Sequence, residues 1–185
     1  MSKPQRADAV RNRGRILEAA RQLIARHGAE IGMDELAAAA GVAVGTLYRH
    51  FPTKSHLVRA VLDEYAERVA DEAESALQRV QAGSPAMEEL QRYLRWVVRI
   101  SSTNHAAKAI AEGLLQPALD GDLEARAAQA ITRVMESAVR QGGLRSDISI
   151  DDVYLIVGTA PYGQPEATLT RWLDLMLPSL RATSA

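Results

Sequence analysis

MDELAAAAGVAVGTLYRHF, residues 33–51, is the stretch on which the reading of this chain turns. From Asp34 to Ala40, the residues Leu36, Ala37 and Ala40 recur at helical spacing, and Gly41 ends that short helix because glycine takes a left-handed conformation without strain. A second helix runs from Val44 to His50. It stops at Phe51 and Pro52, since proline cannot extend a helix and turns the residue before it toward extended geometry. Two helices cross at a steep angle only where their approach is uncrowded, which the small Ala37, Ala40 and Gly41 allow, with Val42 and Leu47 filling the angle. The spacing predicts a helix-turn-helix in which Leu36, Val42, Leu47 and Phe51 serve packing.

Upstream of this run, Ile16, Leu17, Ala20, Leu23 and Ile24 predict a helix from Arg11 to His27, stopped by Gly28. Downstream, Thr53 is placed to cap a long amphipathic helix that carries Leu57, Val58, Val61, Leu62, Tyr65, Val69, Ala73, Ala76, Leu77 and Val80 on one side and ends near Ala82. Gly83, Ser84 and Pro85 break the chain, and Met87, Leu90, Leu94, Val97 and Val98 open the next helix. Further helices are predicted over residues 104–115, 122–141, 151–159 and 166–180, with Pro178 disturbing the last turn. Gly142 with Gly143, and the segment from Pro161 to Pro165, mark breaks between them. No segment alternates between hairpin turns, so the predicted fold class is all-α. The expected division is a three-helix domain over residues 1–52 and a helical body over residues 53–185.

Charge separates the same two parts. Up to Lys54 there are nine basic and five acidic residues, a balance of +4, whereas the remaining 13 basic and 18 acidic residues leave −5. Such an asymmetry is expected when one end of a molecule meets phosphates and the other does not. Cysteine is absent from the 185 residues, which excludes thiol chemistry, thiolate metal sites and disulfides. No apolar run approaches the roughly 20 residues that cross a bilayer, and the opening MSKPQRADAV lacks the apolar core of a secretory signal. A cytoplasmic protein with no membrane association is the expectation. His27, His50, His56 and His105 have no metal-ligand spacing, and neither a phosphate-binding glycine loop nor a nucleophile elbow occurs. His105 and Glu112 stand seven apart, a spacing that brings them to a common helix face, but one such pair is no catalytic signature. No enzyme activity, cofactor or metal is expected.

In a helix-turn-helix the second helix enters the major groove, its first residues reaching base edges while neighbours hold phosphates. This directs Val44, Gly45, Thr46, Tyr48, Arg49 and His50 toward double-stranded DNA, with Lys54 on the same face. Arg6, Arg11 and Arg13 precede or open the first helix, and two readings stand side by side for them: contact with phosphates or the minor groove, or a frayed, solvated tail.

The run GVAVGTLYRHFPTKSHL, together with residues 11–28, resembles the TetR family of bacterial regulators, strongly over residues 11 to about 62 and only in architecture beyond. The resemblance implies that Tyr48, His50 and Lys54 hold phosphates, that Thr46 and Arg49 lie nearest the bases, and that Gly45 lets the helix approach closely. Gly32 and Ala43 depart from the pattern, standing where relatives carry a capping threonine and serine. Each loses a hydroxyl that caps a helix or bonds phosphate, and a lost cap costs about 1 kcal/mol. The resemblance makes the body a ligand-binding and dimerisation domain. A homodimer is implied because two copies about 34 Å apart match successive turns of DNA. Val153, Ile156 and Val157, with Leu169, Trp172, Leu173, Met176 and Leu180, form the candidate dimer stripes, the alternative being that they close the monomer's own core. Trp96, Arg99, His105, Glu112, Met135 and Tyr154 are the candidate lining of a pocket for a small-molecule effector. The expected function is a ligand-responsive regulator, a repressor released from a palindromic operator by that molecule. The competing reading is a helical adaptor of the same fold that has lost DNA binding.

Overall fold

The computed structural model describes residues 3–27, 31–103 and 121–182. Eight α-helices occur among them: α1 Lys3–His27, α2 Met33–Ala40, α3 Val44–His50, α4 Lys54–Gln81, α5 Ala86–Thr103, α6 Gly121–Arg140, α7 Ile150–Gly158 and α8 Glu166–Met176. A short 3-10 helix over Leu177–Leu180 follows. The all-α reading holds, and extended pairing among the described residues is confined to an isolated bridge between Leu144 and Arg181. The predicted helix over residues 104–115 and the stop at Gly28 lie outside the described residues.

Two helix ends differ from expectation by more than one residue. The first helix begins at Lys3 rather than Arg11, because Pro4 falls in its first turn, where a missing N–H costs nothing and the ring presets helical φ. The frayed-tail reading of Arg11 and Arg13 is therefore corrected: both stand within continuous helix. At the other end α8 stops at Met176, and Pro178 takes up the tighter 3-10 turn in which Leu177 and Leu180 are buried.

The described residues form two compact units, one reaching residue 65 and the other comprising 66–103 and 121–182. In the first, Ile16, Leu17, Ala20 and Ile24 of α1 are buried with Leu36, Ala37 and Ala40 of α2, Leu47 of α3, and Leu57, Val58, Val61 and Leu62 of α4. Full burial of each large aliphatic side chain stabilises by roughly 1.5–3 kcal/mol, which is why the opening turns of α4 belong to this unit.

In the second unit Leu90, Leu94 and Val98 of α5 pack with Ile131, Val134 and Ala138 of α6 and Val153 and Ile156 of α7. Glu89 is 1% exposed in this unit and is neutralised from two sides. Arg79 Nε donates to its Oε2 at 2.8 Å, and Arg92 Nη1 donates to Oε1 at 2.8 Å. Arg79 also donates to Glu72 at 2.7 Å, and the two carboxylates hold its guanidinium above the ordinary arginine pKa. A second clamp joins α6 to α4: Arg126 reaches both oxygens of Glu74 at 2.9 Å and Asp71 at 3.1 Å. Bidentate geometry of this kind fixes direction as well as charge. The chain end returns to the loop before α7, where Arg145 N–H donates to Leu180 O at 3.0 Å and Ala182 N–H to Gly143 O at 3.2 Å.

Candidate nucleic-acid interface

The corner between α2 and α3 is fixed by backbone hydrogen bonds. Gly41 adopts φ 61°, its N–H donates to Ala38 O at 3.1 Å and the Val42 N–H to Ala37 O at 3.0 Å. This doubly bonded stop satisfies the last carbonyls of α2 and requires a left-handed residue, which glycine supplies. Asp34 and Glu35 occupy the first turn of α2, where carboxylates complement the positive end of the helix dipole. Neither Gly32 nor Ala43 makes a side-chain cap bond, as expected of residues without hydroxyls.

Helix α3 has seven residues and one buried side chain. Leu47 is buried, while Val44 is 40% and Tyr48 44% exposed. Gly45 and Arg49 are also exposed, and Thr46, His50 and Lys54 are half-buried. Residues four apart share a helix face, so Val44 with Tyr48 and Gly45 with Arg49 make two adjacent outward rows. Phe51 ends the helix with φ −136° and ψ 89°, the extended geometry that the following proline favours. At the start of α4 the Thr53 hydroxyl accepts from the His56 N–H at 3.3 Å and shares a 2.7 Å hydrogen bond with His56 Nδ1. The predicted cap is formed, and it orients the turn that presents Lys54.

Two arginines of α1, Arg13 and Arg21, reach residues outside their own helix. The Arg13 guanidinium lies 5.6 Å from the centre of the Phe51 ring and 4.0 Å from Glu64, a cation–π contact worth about 0.5–1 kcal/mol at an exposed site. Arg21 pairs with Glu18 and Glu64, and its guanidinium, hydrogen-bonded to Glu18, holds that carboxyl below its usual pKa. Arg11 pairs with Asp8 one turn away, both side chains well exposed. Sequence reasoning missed the role of Glu64 as shared acceptor, although its place one turn beyond the buried Val61 was a signal for it. By contrast, Arg49 and Lys54 form no ion pair among the described residues.

The profile described as "Bacterial regulatory proteins, tetR family" matches residues 16–61, from the buried stretch of α1 to the opening turns of α4. The crystal structure of the TetR transcription regulatory protein from Mycobacterium vanbaalenii is 31% identical over 97% of this chain and 100% of that one, with a TM-score of 0.71. This chain belongs to the TetR family. Among other TetR-like structures, a gamma-butyrolactone receptor (ArpA-like protein) is 26% identical over 91% of this chain and 85% of that one, with a TM-score of 0.69. An HTH-type transcriptional regulator of Staphylococcus aureus is 49% identical over 53 residues, a match spanning 28% of this chain and 29% of that regulator's length. The relatives named are regulators and receptors rather than enzymes.

The other expected sites of this TetR-family chain are distributed as follows. On α7 and α8, Val153, Ile156, Leu169 and Leu173 are buried in the second unit's core together with Leu180, while Val157, Trp172 and Met176 are half-buried against it. Five of the eight stripe residues thus close the monomer's own core. The exposed apolar side chains of these two helices are instead Tyr154 at 46%, Leu155 at 61% and Leu175 at 58%. Leu155 and Leu175 are out of phase with the core stripes, and that mismatch was the signal available in the sequence. Of the candidate pocket residues, Met135 is buried and Trp96 half-buried against the core. Arg99 is exposed and pairs with Glu166 at 3.4 Å. Tyr154 is held above the ordinary phenol pKa by partial burial and, less strongly, by Glu124 and Asp151. A shallow groove of about 430 Å³ beside α6 and the following loop takes in Met135, Glu136, Arg140 and Ile148, and none of Trp96, Arg99 or Tyr154. His105 and Glu112 lie outside the described residues. No helix among the described residues is long and apolar enough to cross a membrane, and no group of three or more potential ligands among them is arranged to hold a metal ion.

Proposed function

We propose that the chain is a dimeric DNA-binding regulator that reads a palindromic operator through α3 and is released by a small-molecule effector, acting as a repressor. The observation that carries this reading is the outward face of α3. Val44, Gly45, Tyr48 and Arg49 are exposed on it, whereas the fold needs only Leu47 for packing. An arginine in that position suits bidentate contact with guanine O6 and N7, and Tyr48, His50 and Lys54 suit phosphate. Arg11 and Arg13 add positive charge nearby. The Arg11–Asp8 pair is exposed and the Arg13–Glu64 pair is 4.0 Å long on a half-buried carboxylate that Arg21 also holds; exposed pairs are worth about 0–1 kcal/mol, so phosphate can replace the first at little cost.

A single recognition helix reads one half-site, and dimerisation supplies the second. Leu155 and Leu175, with Tyr154 and the exposed edge of Trp172, are the proposed contact face. Exposed apolar side chains such as these, on consecutive helices, gain stability once a second copy covers them. The relative named as a gamma-butyrolactone receptor supports effector control in this architecture, and a ligand that favours a DNA-incompetent arrangement shifts the population away from the operator. The residues that line the effector site, Trp96, Arg99, His105, Glu112, Met135 and Tyr154 among the candidates, are part of the same proposal.

One observation favours the adaptor reading: both helices of the motif begin without a side-chain cap. Selection of duplexes from genomic fragments by the full-length protein separates the two readings. The regulator reading expects sequence-selective binding whose logarithm falls linearly with the logarithm of salt, by about 0.9 per phosphate neutralised. It also expects Arg49→Ala to relax one base preference per half-site by about 1–3 kcal/mol. Failure to retain any duplex at low salt overturns it. Leu175→Glu is expected to lower the oligomeric state in sedimentation, and an unchanged state rejects the proposed dimer face.

A further inference from the structure

The first residue of α3 is an exposed branched aliphatic, and the second is a glycine that the fold does not require. A Cβ built on Gly45 meets no heavy atom within 4 Å, and Gly45 is not among the residues with positive φ. Neither packing nor backbone geometry explains it, while glycine within a helix is less favourable than alanine. What a missing side chain does supply is close approach of an outside surface. Beside that bare position stands Val44, 40% exposed, in the same row as Tyr48. Its methyl groups have no hydrogen-bonding capacity, and the only apolar group that base edges display in the major groove is the C5-methyl of thymine.

We propose that Val44 is a specificity-determining residue that recognises the C5-methyl of one thymine in each half-site, the neighbouring Gly45 allowing the helix to sink far enough for that contact. The inference rests on the DNA-binding reading above and adds to it the chemical identity of one base. Arg49 and Val44 then divide the readout, the guanidinium selecting by hydrogen bonds and the isopropyl group by shape and desolvation.

Uracil differs from thymine only by that methyl, so it isolates the contact without changing any hydrogen bond. Duplexes recovered by selection with the full-length protein are resynthesised with each thymine replaced in turn by uracil, and affinities are measured for the wild type and for Val44→Ala. Burial of one methyl-sized group is worth about 0.8 kcal/mol, close to a four-fold change in affinity. The expected result is one thymine per half-site whose replacement weakens wild-type binding about four-fold, roughly 16-fold when both half-sites are changed. Val44→Ala is expected to bind the thymine and uracil duplexes within a factor of about two of each other, because the contact is already gone. The inference is overturned if the selected half-sites contain no methyl-sensitive thymine, or if the sensitivity persists in Val44→Ala and so belongs to another side chain. Both outcomes leave the regulator reading intact, whereas recovery of no duplex removes it and the inference together.

Discussion

Replacing Gly45 with alanine sets the stability of the fold against its affinity for DNA. Alanine is favoured over glycine by about 0.8–1.0 kcal/mol in a helix interior, and Gly45 is the second residue of the seven-residue α3, so about 0.5 kcal/mol is a reasonable share. Nothing lies within 4 Å of the new Cβ, hence no steric cost offsets the gain. A change of 1 kcal/mol moves the midpoint of a chain of this size by roughly 2–4 °C, and Gly45→Ala is therefore expected to raise Tm by about 1–2 °C. In the proposed complex the same methyl would enter an interface packed as closely as a protein interior, where an extra group costs about 1–3 kcal/mol. Each half-site would then lose about five-fold or more in affinity. Thermal unfolding followed by circular dichroism and fluorescence anisotropy with a selected duplex measure the two effects on one preparation. A raised Tm with unaltered affinity refutes the placement of Gly45 against DNA. A lowered Tm refutes the argument that the fold has no use for the glycine.

Ala43→Ser restores a hydroxyl at the start of α3 and is expected to add about 0.5–1 kcal/mol in urea unfolding; tighter operator binding at low salt accompanies it if that hydroxyl also reaches phosphate. Gly143→Ala is expected to destabilise by about 1–3 kcal/mol, because its Cβ falls 2.9 Å from Met87 Cβ, and a variant as stable as the wild type in urea contradicts that close approach. The Asp152 carboxylate accepts from the Ser149 N–H at 2.8 Å and the Ser149 hydroxyl at 2.9 Å, which lowers its pKa below the usual 3.8. A carboxyl depressed on folding contributes stability that is present above its unfolded pKa and lost as pH falls through the folded one. The stability difference between wild type and Asp152→Asn is accordingly expected to be constant near neutrality and to shrink below about pH 4, as read from urea midpoints against pH.

The stops of the motif's two helices were legible to the residue because their punctuation is local. Gly41 and the Phe51–Pro52 pair set the ends of α2 and α3 through backbone geometry alone, and one buried leucine fixed which way α3 faces. The start of α1 was misjudged because apolar periodicity begins only at Ile16, while the earlier turns are held by helix geometry and by pairs such as Arg11 with Asp8. The stripes on α7 and α8 were legible as apolar but not as to what covers them. A core and an interface use the same residue types, and only the three-dimensional packing assigns Val153, Ile156, Leu169, Leu173 and Leu180 to the first. Contacts between distant segments, such as Arg13 over Phe51, leave no periodic trace in a sequence.

The return of the chain end to the loop before α7 has a practical consequence. Leu180 is buried, its carbonyl accepts the Arg145 N–H, and Ala182 donates to Gly143. Truncating the protein at Pro178 would strip these bonds and uncover Leu144, itself 2% exposed, leaving a backbone donor and an acceptor to be solvated at a site some 35 residues back along the chain. The last turn is a clasp rather than a trailing end, and designers of shortened or fused versions should cut no earlier than Ala182.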